Sequence, residues 1–117
     1  MKKISGHFYR YEFACRCGCG LNTVDVELIQ LLEAIRLNFG EKPITIHSGH
    51  RCQRHNVKIG GSPKSQHLLG KAADIVIAGV SPKEVAEYVS AVHQNEFGVG
   101  VYASFTHVDV RQNKVRW

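Results

Sequence analysis

Ser65-Gln66-His67-Leu68-Leu69-Gly70-Lys71-Ala72-Ala73-Asp74 carries a histidine out of a loop and a carboxylate into a strand, and His107-Val108-Asp109 answers it near the C-terminus. His67 and Asp74 are too far apart for one helical turn. The intervening Gly70-Lys71-Ala72-Ala73 lets the chain turn into a strand from which Asp74 points back at the loop. His107 and Asp109, two apart in a strand, project from one face. Two imidazoles and a carboxylate form a three-ligand set for zinc that leaves the fourth position to water. Catalytic zinc needs that arrangement, whereas structural zinc closes all four positions and usually takes cysteine.

The elements around this stretch set the fold class. Thr23 is placed to cap a helix from Val24 to about Phe39, whose Leu28, Leu31, Leu32, Ile35 and Phe39 recur at helical spacing before Gly40. Ile44-Thr45-Ile46-His47-Ser48 alternates as a strand, and Gly49 to Ser65 is a polar loop with room for a short helix at Gln53 to Val57. Ala73 to Ile77 is a strand. Ser81-Pro82-Lys83-Glu84 is a capping box that opens a helix to about His93. Val99 to Tyr102 and Thr106 to Val110 pair as a hairpin. The order predicts an α+β domain, with a small, mostly antiparallel sheet flanked by helices.

The 117 residues make one domain, with residues 1–22 an irregular Cys-rich N-terminal arm. No apolar run approaches the roughly 20 residues that span a bilayer, and none follows Met1-Lys2-Lys3-Ile4 to complete a signal peptide. The chain is therefore expected to be cytoplasmic as made, a monomer without membrane insertion. The net charge of +5 suits an anionic partner, but the basic residues are dispersed and no nucleic-acid motif accompanies them. A basic DNA-binding or DNA-nicking protein is thus disfavoured.

Ser65-x-His67-x-x-Gly70-x-Ala72-x-Asp74 with a downstream His107 strand resembles the zinc D-Ala-D-Ala carboxypeptidase and L-alanyl-D-glutamate endopeptidase family, whose fold is shared with the hedgehog signalling domain. The likeness extends to Ser48-Gly49-His50-Arg51, Asn56, Gly60-Gly61 and Gly98-Val99-Gly100, and covers about residues 25–111. The resemblance implies a peptidoglycan peptidase with zinc on His67, Asp74 and His107. It implies that Arg51 binds the substrate carboxylate or a developing oxyanion, and that Ser65 and Gln66 hydrogen-bond the peptide, unless they only cap the loop. Size and the lack of a wall-binding domain resemble phage or prophage members, which reach the wall after release.

Hydrolysis also needs a proton acceptor. The family often has a carboxylate three residues before the second ligand histidine, and many members have a second histidine two before it. Here those positions are Ser104 and Phe105. Asp109 is the nearest replacement, as base, as an orienting carboxylate for a ligand histidine, or as a structural acceptor; Glu96 is a second candidate for the base. The gap also leaves open a hydrolytically inactive, metal-containing binding module of the same fold. Either way the which-bond question, carboxypeptidase or endopeptidase, rests with pocket shape.

His7, His47, His50, His55 and His93 read as surface residues. Cys15, Cys17 and Cys19 alternate, and Cys52 stands beside Arg51. The C-x-C-x-C spacing is not that of a zinc ribbon, so free thiols, disulfides and a second metal all remain open for these four.

Overall fold

Asp25 starts the first helix. Its Oδ1 accepts the Glu27 amide at 2.8 Å, and α1 runs Val26–Asn38 in the computed structural model, which describes residues 2–117. The cap expected at Thr23 therefore falls at Asp25. Thr23 instead donates its amide to His50 Nδ1 (3.0 Å), which is also why His50 is buried and not on the surface as its sequence context suggested. Leu28, Leu31, Leu32 and Ile35 turn inward, and Gly40 closes α1 in the left-handed region.

The remaining elements follow as β1 (Ile44–Ser48), α2 (Gln53–Lys58), β2 (Ala72–Ile77), α3 (Pro82–Val92), β3 (Gly98–Val101), β4 (Thr106–Asp109) and β5 (Val115–Arg116). Short 3-10 turns lie at Arg10–Phe13 and Gln66–Leu69. The Ser81 capping box forms as expected, with Glu84 N to Ser81 Oγ and Ser81 N to Glu84 Oε1 both at 3.1 Å. β5 has no counterpart in the sequence reading. Two residues are too few for a periodicity, and the strand exists only by pairing with β3.

One five-stranded sheet runs in the order β1-β2-β4-β3-β5. The first three pairings are antiparallel, and β5 joins β3 in parallel, so the expected α+β architecture is present. Alternation sorts the two faces. Ala73, Ile75, Ile77, Val99 and Val108 join the core formed with α1 and α3, which leaves Asp74, His107 and Asp109 to the opposite face. Asp74 is paired with His107 across β2 and β4, and Gly98 with Asp109 across β3 and β4. The irregularity between Ile46 and Ser48 lets Ser48 pair with Asp74. The ladder register thus assembles residues far apart in sequence.

The N-terminal segment is irregular, as expected, but it is part of the core: Phe8 and Phe13 are buried within it. Glu33 on α1 fastens the same segment, accepting from Ser5 Oγ (2.5 Å), the His7 amide (2.9 Å) and His7 Nδ1 (2.7 Å). Burial alone would raise the Glu33 carboxyl, but the bonds from Ser5 and His7 hold it below its ordinary value. Glu33→Gln is expected to cost about 1 kcal/mol in urea denaturation. A carboxyl with a lowered folded pKa stabilises above its unfolded pKa, about 4.3, and that contribution is lost as acid passes the folded value. The glutamine variant should lack this acid-dependent step.

Candidate metal centre

His67 reaches the centre from the 3-10 turn that Ser65 caps, its amide donating to Ser65 Oγ at 3.2 Å. The turn closes at Gly70 with φ of 70°, and a Cβ there would meet Thr23 O at 2.6 Å, so glycine is required twice over. The chain then enters β2 and delivers Asp74. His67 and Asp74 therefore meet, although they lie on different elements.

Three donor atoms converge. Asp74 Oδ1 lies 3.2 Å from His67 Nε2 and 3.0 Å from His107 Nδ1, and the three residues are buried. Each imidazole is held at its other nitrogen: His67 Nδ1 to Gly49 O at 2.7 Å, and His107 Nε2 to Asp109 Oδ2 at 2.6 Å. Those partners accept hydrogen bonds only, so each outer nitrogen carries the proton and, in the neutral rings, the inner nitrogens present lone pairs. Two lone pairs and a carboxylate oxygen facing one another require a cation between them. These atoms lie within 4.8 Å of one another, and two imidazoles with one carboxylate suit zinc with a position left open. His67, Asp74 and His107 are thus brought together as expected.

Burial of His107 opposes its protonation, but hydrogen bonds to Asp109 and Asp74 outweigh it and raise the pKa. Burial would likewise raise Asp74, yet bonds from His107 and His67 hold its carboxyl far below the usual range. Zinc must displace the His107 proton, so zinc affinity should fall as pH drops through the raised His107 value and level off above it. A chelator competition across the neutral range measures this. An affinity that stays flat as the pH falls to the acid limit of folding would contradict ligation by these imidazoles.

Arg51 locks the carboxylate from behind. Its Nη2 donates to Asp74 Oδ2 at 3.1 Å, Nε to Ser48 Oγ at 3.1 Å and Nη1 to Asn56 Oδ1 at 3.2 Å. The guanidinium expected to reach for substrate is therefore also a support for Asp74. Asp109 is fully buried and receives Gly98 N (3.0 Å), Arg111 Nε (2.8 Å) and Arg111 Nη2 (2.7 Å) as well as His107. A Cβ at residue 98 would collide with this carboxylate, hence Gly98. His107 Nδ1 faces Asp74 and its Nε2 faces Asp109, so Asp109 meets the ring on the side away from Asp74. Of the three roles open to Asp109 (base, orienting carboxylate and structural acceptor), this placement suits orientation. Glu96, the second candidate for the base, pairs with His93 Nδ1 at 2.7 Å and lines a separate surface hollow.

The centre opens into a cleft of about 410 Å³ that Arg51, Ser65 and Gln66 line. Sequence reasoning missed Lys64, Tyr102, Arg111 and Trp117, which also line it. Trp117 lies 4.9 Å from the His107 ring, and its indole N–H donates to Tyr102 Oη at 2.8 Å. The only tryptophan of the chain, next to a basic pair at Lys114 and Arg116, was the available signal. Among the described residues, Asp74 is the sole carboxylate on the cleft wall.

A family model described as Peptidase M15 matches residues 6–109. A zinc D-Ala-D-Ala carboxypeptidase of Streptomyces albus G is 43% identical over 44 residues, which is 38% of this chain and 17% of that relative. The family match begins well before residue 25, where the sequence resemblance began, in keeping with the burial of Phe8 and Phe13.

Proposed function

The chain belongs to the peptidase M15 family, and from that premise we propose that it is a zinc-dependent peptidase acting on the peptide part of bacterial peptidoglycan. The observation that carries this reading is the convergence of two buried imidazoles and a carboxylate at the floor of an open cleft. When bound there, zinc would polarise a carbonyl and lower the pKa of a water to about 7. His67, Asp74 and His107 are the ligands in this reading. Gly49 O and Asp109 set the two imidazole tautomers, and Arg51 keeps Asp74 Oδ1 turned inward by holding Oδ2.

The cleft side chains suit the substrate. Lys64 lines the cleft outside the Arg51–Asp74 and Arg111–Asp109 ion pairs, and its positive charge favours a peptide bearing carboxylates, as wall stem peptides do. Ser65 and Gln66 line the cleft beside His67, within reach of a peptide backbone. A second reading, a domain that holds metal and peptide without hydrolysis, draws on Ser104 and on the lack of a free carboxylate on the cleft wall.

Mass spectrometry of purified wall incubated with zinc-loaded protein tests the proposal and identifies the bond. Fragments carrying the added water of hydrolysis support it. Unchanged muropeptides, with the protein bound to the wall, would overturn it in favour of the binding module. Arg51→Lys is expected to weaken zinc binding by about 10-fold, because one ammonium cannot span Ser48, Asn56 and Asp74 together. A chelator competition reads that loss.

A further inference from the structure

We propose that Cys15, Cys17, Cys19 and Cys52 hold a second metal ion, a structural zinc, which clamps the N-terminal segment to the loop carrying Arg51. The four Sγ atoms lie within 4.8 Å of one another. Cys15 and Cys17 sulfurs are 3.5 Å apart, and Cys17 and Cys52 sulfurs 3.6 Å. A disulfide would bring two sulfurs to about 2.05 Å, and all four cysteines are free. A zinc ion with S ligands at about 2.3 Å has tetrahedral S–S edges of about 3.8 Å, so the sulfurs stand near the spacing a metal imposes.

The local chain is shaped for this. Gly18 N donates to Cys15 O at 3.1 Å, and Gly18 and Gly20 sit at φ of 85° and 92°, so the turn can wrap Cys15, Cys17 and Cys19 around one point. Backbone amides are aimed at sulfur, Cys52 N at Cys15 Sγ and His55 N at Cys52 Sγ, both at 3.4 Å. Such donors stabilise thiolate, the form that binds metal. Four thiolates leave no open position, so this ion serves the fold and not hydrolysis.

Its place gives it a purpose. Cys52 is the N-cap residue of α2 and follows Arg51 directly. A metal joining Cys52 to residues 15–19 would hold the backbone from which Arg51 reaches Asp74.

Cobalt substitution and elemental analysis of the whole chain provide the test. Zinc-loaded protein should hold two ions. Cobalt-loaded protein should show the near-ultraviolet sulfur-to-cobalt charge-transfer band of thiolate ligation. The double variant Cys17→Ser, Cys19→Ser should lose that band and one ion, while His67→Ala keeps the band. A cobalt form without the band, or a native disulfide among the four, would overturn the proposal even if the variant fails to fold. The band arises only from thiolates, so its outcome is separable from that of the His67 centre.

Discussion

His67→Ala is expected to remove the ion from the His-Asp-His centre and to lower hydrolysis by about three orders of magnitude or more. The expectation follows from the convergence of His67 Nε2 and His107 Nδ1 on Asp74 Oδ1. With one of three ligands gone, the remaining two form a weak site. Without the ion, nothing in the cleft would lower the pKa of an attacking water. Circular dichroism should show the fold retained, because the core face of the sheet is untouched by the change. Zinc content and wall hydrolysis measured together check it. Hydrolysis that survives in the variant would contradict the role of His67.

Asp109→Asn separates orientation from proton transfer. Asp109 receives His107 Nε2 on one oxygen and Gly98 N and Arg111 Nε on the other. Burial would raise this carboxyl, but His107 and Arg111 hold it far below the ordinary range, so it is an anion in the folded protein. An amide keeps the shape but loses the charge, and it turns an N–H₂ towards groups that themselves donate. Zinc affinity should therefore fall by about 10- to 100-fold. Hydrolysis should recover in excess zinc. Loss of turnover by about 100-fold with zinc fully retained would instead restore Asp109 as the base.

The metal centre was legible in the sequence because two of its three ligands, His67 and Asp74, fall within one ten-residue stretch. Ser65 to Asp74 contains the turn residue Gly70, the ligand His67 and the strand that bears Asp74, and His107 lies on a strand of its own. The limits of β1 and α3 were legible for the same reason: β1 alternates and α3 opens on a capping box. What was not legible depends on the register of distant chains. That Asp109 faces the far side of His107, that Arg51 is held by Ser48, Asn56 and Asp74, and that Trp117 closes over Gly100 all follow from how β1, β4 and β5 are paired. Thr23 illustrates the limit at short range. Its type suits a helix cap, but its amide serves His50 and the cap passes to Asp25.

The central claim is a zinc ion bound by three side chains of this cleft. Anomalous diffraction at the zinc edge from crystals of the zinc-loaded protein tests it directly. A peak is expected about 2.0–2.2 Å from His67 Nε2, Asp74 Oδ1 and His107 Nδ1. A cleft with no peak there, and Asp74 still bonded to both imidazoles, would contradict it.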